Sequence, residues 1–347
     1  MLKKLLSAHL LSAGVVAAGL LAAAAPAGAQ DVTLKLHQLL PLKAAIPDKF
    51  INPWIERVQT QSGGRIKVEH YPSMQLGGKP PELVQQVTDG AVDIVWTVMG
   101  YTPGRFPRAE AFELPFMVAT AEETSVAFQK YADKHMQDDF PGMHVIAVHT
   151  HGPGLIHSKD PVNTLEDLKG MKLRGPTRVI TGMLEQLGAV AIGMPVPAVP
   201  EAVSKGVIDG AVIPWEVTLP LKMAELVHNH TGFAGDRGLY TATFLFAMNK
   251  AKYDSLPDDL KKVIDDNSGV EAARLAGRAM DEVDKIGLAK AQKAGNTVIT
   301  LDAAETARWK EAAGPVVENW IAEMDGKGMD GKGMVADAQA LVAAETK

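Results

Sequence analysis

The chain has 347 residues, with 35 basic and 41 acidic side chains, a formal net charge of −6, and no cysteine. The acidic balance argues against a nucleic-acid or anionic-membrane surface, and the missing cysteines exclude a disulfide framework, a thiolate nucleophile and lipid attachment. One core stops growing at roughly 250–300 residues, so two lobes are expected.

In chain order, Lys3 and Lys4 precede an apolar run from Leu10 to Ala25 that ends in Ala27-Gly28-Ala29. This is the pattern of a secretory signal peptide over residues 1–29, cleaved near Gln30. The run is short for the ~20 residues of a membrane span, and no second one follows. Thr33 to His37 alternates as a half-buried strand, and Ile51, Trp54, Ile55 and Val58 recur at helical spacing until Ser62-Gly63-Gly64 stops them. Ile66, Val68 and His70 alternate again, and Pro80-Pro81 opens a helix carrying Leu83, Val84 and Val87. Val92 to Trp96 reads as a buried strand. This βαβαβ order predicts a mostly parallel sheet.

A similar unit recurs. Pro81-Glu82-Leu83-Val84 followed by Asp89-Gly90-Ala91-Val92 is echoed by Pro200-Glu201-Ala202-Val203 followed by Asp209-Gly210-Ala211-Val212. Between the echoes come a helix over Glu122 to Asp139 and a strand over Val145 to Thr150. The cluster His151-Gly152-Pro153-Gly154 is a candidate crossover between lobes.

Thr164 caps a short turn that ends at Gly170, a strand brings Arg174 to its carboxyl end, and Gly175-Pro176 leads into a helix with Ile180, Met183, Leu184 and Leu187 on one face. Ligands of open α/β sheets collect at such strand ends, and a guanidinium there suits a carboxylate, to which it offers two parallel hydrogen bonds. A surface ion pair is the plainer reading of the same residue.

Further on, Tyr240 to Asn249 reads as a strand that returns to the first lobe through Phe244, Leu245 and Phe246. From Leu260 the chain is expected to be helical, as one long helix kinked or broken near Ser268-Gly269, with further helices around Trp309 and Trp320. The double MDGKG between Met324 and Met334 lacks the ligand ladder of a calcium loop and is expected to be a flexible connector. The division expected is residues 30–149 plus about 241–280 for lobe I and residues 150–240 plus about 281–347 for lobe II.

The segments GGRIKVEHYPSMQLGG (63–78), VTDGAVDIV (87–95), ELPF (113–116), NTLEDLKGMKLRGPT (163–177), LGAVAIGMPVPAVPEAVSKGVIDGAV (187–212) and AMNKAKYDSLPDDLKKVI (247–264) are collinear landmarks. Together they resemble the DctP-like substrate-binding proteins of tripartite ATP-independent periplasmic (TRAP) transporters. The resemblance implies an α/β periplasmic binding protein of two lobes, with a hinge of crossing strands and a long connecting helix. It implies a monomer in the periplasm that closes on an organic carboxylate and delivers it to sodium-coupled membrane permease subunits, with no cofactor. Arg174 occupies the family's carboxylate-gripping position. Pro153 stands where many relatives carry a second arginine, and Ile213 where many carry asparagine. Both changes make the expected pocket less polar, which disfavours dicarboxylates and sugar acids and favours a monocarboxylate with an apolar or aromatic body.

Other pocket candidates follow from the expected strand ends. Trp96, Tyr101 and Trp215 are aromatic walls or core, His37, Gln38, His149 and His151 are polar contacts to a ring hydroxyl, and Lys43 is as readily solvated. Glu216 is a cation ligand, a ligand contact or an ion-pair partner of Arg174. The rival reading is a short 2-oxo or 2-hydroxy acid bridged by a cation near Glu216. Readings of another class are a zinc receptor using His149, His151, His157, His228 and His230, and a secreted hydrolase. For the hydrolase the G-x-S-x-G, H-E-x-x-H and Walker signatures are absent.

Overall fold

The computed structural model describes residues 32–346, so the leader expected before Gln30 lies outside the described residues. In chain order the elements are β1 (Val32–Gln38), α1 (Asn52–Gln61), β2 (Ile66–Tyr71), α2 (Leu83–Thr88), β3 (Ile94–Val98), α3 (Ala121–His135), β4 (Met143–Thr150), β5 (Leu155–Ser158), β6 (Lys172–Gly175), α4 (Arg178–Gln186), β7 (Val190–Gly193), α5 (Val199–Ser204), β8 (Gly210–Ile213), α6 (Trp215–Leu221), α7 (Met223–Leu226), β9 (Asn229–Phe233), β10 (Thr243–Asn249), α8 (Lys250–Asp254), α9 (Asp258–Asp265), α10 (Gly269–Lys293), β11 (Thr297–Leu301), α11 (Ala303–Gly326) and α12 (Gly331–Glu345).

The strands form two sheets, one ordered β2-β1-β3-β10-β4 and the other β11-β9-β5-β8-β6-β7. In the first, β1, β2 and β3 are parallel and β10 runs antiparallel between β3 and β4. In the second, β8, β6 and β7 are parallel while β5 opposes β8 and β9. Each sheet is the centre of one lobe. The chain crosses from the first to the second between β4 and β5, through the expected His151–Gly154 segment, and returns between β9 and β10. Every residue of β3 is buried, as befits a central strand of a mixed sheet covered on both faces.

The sequence echo corresponds to a structural repeat, but in a different register. Gly90 and Gly206 both take the left-handed turn after their helix, with φ of 74° and 70°. Asp93 then accepts from Lys35 N–H at 2.7 Å, as Asp209 accepts from Lys172 N–H at 2.9 Å. Asp93, not Asp89, is therefore the counterpart of Asp209. This aspartate clasp also explains why β3 begins at Ile94 rather than Val92. Similarly β10 begins at Thr243 rather than Tyr240, because Thr241 Oγ1 donates to the His151 carbonyl at 2.7 Å and Ala242 N–H donates to His151 Nε2 at 3.0 Å.

Helix α10 ties the lobes together. A Cβ at Gly277 would lie 2.4 Å from the Ala121 carbonyl oxygen of α3, and one at Gly287 2.2 Å from that of Trp215 in α6, so both glycines are needed for close approach. Between them, Asp281 accepts from Ala121 N–H at 2.8 Å and Glu122 N–H at 2.9 Å, and Asp284 accepts from Glu216 N–H at 2.6 Å. One helix thus caps a helix of each lobe. The break from α9 falls where expected, at Gly269 with φ 72°. The double MDGKG is a built turn and not a flexible connector: Asp325 accepts from Gly331 N–H at 2.9 Å and Asp330 caps α12 through Gly333 N–H at 2.8 Å. Past this turn α12 packs on α3 of the first lobe, although its residues were expected with the second, while α11 packs on α4.

Gly287→Ala is expected to destabilise the protein by about 1–3 kcal/mol through overpacking. Gly182→Ala, in open space inside α4, should stabilise it by about 0.4–1 kcal/mol. Denaturant midpoints of the two variants check the pair, and equal effects would remove the close-approach role of Gly287.

Candidate functional site

Strand β6 lies between β7 and β8, so its Arg174 enters the interior at the strand's carboxyl end, where the side chain is 2% exposed. Its Nε donates to the Met194 carbonyl at 2.8 Å, Nη1 to the Val212 carbonyl at 3.2 Å and Nη2 to the Tyr101 hydroxyl at 3.3 Å. A guanidinium has five donors, so one N–H on each terminal nitrogen remains. Among the described residues no carboxylate lies within ion-pair distance, Glu216 included.

Tyr101 reaches Arg174 from the turn after β3, in the other lobe. Its oxygen accepts from Val196 N–H at 2.8 Å and from Arg174, so its own proton is left to donate. Burial, against the opposing pull of Arg174, pushes this phenol above its ordinary pKa and keeps that proton in place.

Arg174 and Tyr101 stand in the wall of a cavity between the lobes. Trp96, His151 and Glu216 line it too, and so does Ile213 at the position expected to be apolar. Pro153 lies elsewhere, against Gly238. The remaining wall is mostly aliphatic or aromatic. Tyr240, Ala242 and Phe244 all face the cavity, and sequence reasoning missed them as site residues. Their alternation is the period-two signal of one face of an extended segment.

The expected polar contacts are occupied by the protein itself. His149 Nε2 accepts from the Trp96 indole N–H at 2.8 Å, and its ring stacks on Phe244 with centroids 4.8 Å apart, so it lies behind the wall. His151 bonds Gly152 O through Nδ1 at 2.5 Å and Ala242 N–H through Nε2, which leaves it only ring surface to present. Burial pushes His149 down to about 3 and His151 down to about 4, so both are neutral. His37 joins Gln86 Oε1 at 2.7 Å and Leu76 N–H at 3.3 Å, outside the cavity. Gln38 clasps Leu40 and so shapes the Leu39–Leu40 turn, which does line it. Lys43 is exposed and paired with Asp48. Trp215 points away, its ring edge-on to His157 at 5.0 Å and against His230 at 4.9 Å.

His157 and His230 share a 2.7 Å hydrogen bond and are pushed down by burial to about 3 and about 4. Among the described residues no three His, Asp or Glu side chains converge as metal ligands. Glu216 is 3% exposed, and burial, then Asp284, pushes its carboxyl well above the ordinary range.

A further contact joins the lobes beside the cavity. Glu113, fully buried, accepts from Thr177 Oγ1 at 2.6 Å and from Thr243 N–H and Oγ1 at 3.1 and 2.9 Å. Burial raises its pKa to about 7 despite these bonds.

Residues 45–323 match the sequence profile of bacterial extracellular solute-binding protein, family 7 (DctP). A TRAP solute-binding protein from a marine metagenome, specific for aromatic acid ligands and solved with 3-hydroxybenzoate, is 52% identical. It covers 92% of this chain and 100% of its own, with a TM-score of 0.90. A TRAP solute-binding protein from Rhodoferax ferrireducens T118, solved with copurified benzoate, is 46% identical over 91% of this chain and 98% of its own, with a TM-score of 0.89. The outer membrane transporter protein TsaT of Comamonas testosteroni is 26% identical over 88% of this chain and 90% of its own.

The pKa of Glu113 carries a pH signature. An acid raised in the folded state stabilises fully below its unfolded pKa, and the contribution is lost as pH rises to about 7. Glu113→Gln should therefore flatten the stability profile, removing up to about 3 kcal/mol of loss between pH 4.5 and 7.5. Denaturant titrations at both pH values check it, and an identical difference in wild type and variant would contradict it.

Proposed function

The chain belongs to the bacterial extracellular solute-binding proteins of family 7, and from that premise we propose that it is the TRAP receptor for an aromatic monocarboxylate. Proteins of the family are periplasmic receptors, not enzymes, that bind small organic acids and work with membrane permease subunits. The mature chain, starting near Gln30, acts as a monomer that presents its ligand to such a permease.

Arg174 carries the reading. A guanidinium held in an apolar wall without a counter-ion is costly until an anion arrives. Its two unused N–H groups and the Tyr101 O–H offer three donors to the two oxygens of one carboxylate. Among the described residues Arg174 is the lone Lys or Arg in the wall, so a second carboxylate would find no cation there, and the rings of Trp96, His151 and Phe244 suit a flat apolar body. The aromatic acids bound by the relatives 52% and 46% identical to this chain support the same class.

Because Arg174 belongs to the second lobe and Tyr101 to the first, a carboxylate held by both favours the closed arrangement by its differential affinity for it. Burial, then Asp284, pushes the Glu216 carboxyl well above the ordinary range, toward the protonated form, which is a poor cation ligand; this weighs against the bridged 2-oxo acid.

Arg174→Ala should weaken binding of benzoate more than a hundredfold, in line with a loss of about 3–5 kcal/mol, with Lys restoring only part. Calorimetry on benzoate, 3-hydroxybenzoate, malate, succinate and pyruvate, with and without chelator, tests the class. Binding of the dicarboxylates or chelator-sensitive binding of pyruvate, with none of the aromatic acids, would overturn it.

A further inference from the structure

Most polar side-chain atoms at the cavity are already engaged. Arg174 and Tyr101 form the anion end, Trp96 donates to His149, and both nitrogens of His151 are bound to backbone. Glu216 and Tyr240 differ. The Glu216 carboxyl, 3% exposed, and the Tyr240 hydroxyl, on a residue 1% exposed, have no hydrogen-bond partner among the described residues, yet both residues line the cavity. Buried polar groups are left unpaired only at a cost, and a ligand that pairs them removes it.

Among the described residues Glu216 makes no ion pair with Arg174, and it enters the cavity from the first turn of α6, whose Glu216 N–H is held by Asp284. The Tyr240 hydroxyl feels the charges of both Arg174 and Glu216. Burial, then Asp284, pushes the Glu216 carboxyl well above the ordinary range, toward the protonated form. A carboxylic acid has one O–H to donate and a carbonyl oxygen to accept, the complement of a phenol. It does not complement a second carboxylate, which would also face Asp284, nor a plain C–H edge, which would leave it unpaired.

Resting on the aromatic-monocarboxylate reading, we propose that Glu216 determines specificity at the ring, recognising a hydroxyl on the aromatic body of a ligand whose carboxylate lies on Arg174. The acid accepts the phenolic proton and donates its own to the phenolic oxygen. Benzoate fits the same cavity and is bound more weakly, because it leaves Glu216 without a partner.

The test is a ligand-by-variant cycle in calorimetry at pH 7, with benzoate, 3-hydroxybenzoate, 4-hydroxybenzoate, isophthalate and 3-(aminomethyl)benzoate on the wild-type chain, Glu216→Leu and Glu216→Gln. The wild type should bind at least one hydroxybenzoate roughly ten- to a hundredfold more tightly than benzoate, the range expected for one buried hydrogen-bonding group. In Glu216→Leu that ratio should fall to about one, and benzoate binding by the variant reports that it is folded. Glu216→Gln, which still donates and accepts, should keep a preference for the hydroxylated acid. A wild-type ratio near one, or an unchanged ratio in Glu216→Leu, overturns the proposal. So does tighter binding of isophthalate or of the ammonium ligand than of either hydroxybenzoate. If no aromatic acid binds the wild-type chain, the aromatic reading falls and this proposal with it, whereas binding without hydroxyl preference removes this proposal alone.

Discussion

The arrangement depends on one charge kept in a nearly dry place without its opposite. Arg174 satisfies three donors on Met194, Val212 and Tyr101, which hold the guanidinium still without neutralising it. A carboxylate partner from the protein would have filled the site permanently. Neutral carbonyl and hydroxyl acceptors orient the charge and leave its field for a ligand. The same economy governs the histidines, which burial keeps uncharged at His149, His151, His157 and His230, so that none competes with Arg174 for an anion.

Holding that charge against a partner from the other lobe requires the lobes to meet in one relative position. The contacts that fix it are backbone-level and close: Gly277 and Gly287 let α10 touch α3 and α6, and Asp281 and Asp284, on successive turns, cap one helix of each. Asp284 has a second effect. By standing beside Glu216 it helps push that carboxyl above the ordinary range, so the strut that ties the lobes also bears on the electrostatics of the cavity wall.

What could be read from the sequence was what local chain chemistry decides. Arg174 was legible because a capped turn, a short strand and Gly175-Pro176 fix its location within a dozen residues, and the Ser268-Gly269 break because only glycine takes that φ cheaply. Tyr240 and Phe244 were not, since their role depends on β10 pairing between β3 and β4, strands far away in sequence. Trp215 and Glu216 show the limit clearly. Read as residues after a strand, both were candidates, but they open a helix, where neighbours point about 100° apart. One therefore enters the cavity and the other packs on His157 and His230. The polar candidates at His37, Gln38 and His149 are buried hydrogen-bond partners, and no periodicity distinguishes a histidine that meets a ligand from one that meets a tryptophan N–H.

The turn between α11 and α12 has a mechanical meaning. With α11 on the second lobe and α12 on the first, the chain straps the two bodies together once more, in addition to the strand crossings and α10. Bodies joined by several connections slide and twist less freely than bodies joined by one, so any change in their relative position is confined to few directions. On the proposed reading, closing of the lobes on a ligand is then expressed chiefly as a change in the angle between them. A membrane partner that senses that angle needs no knowledge of the molecule inside.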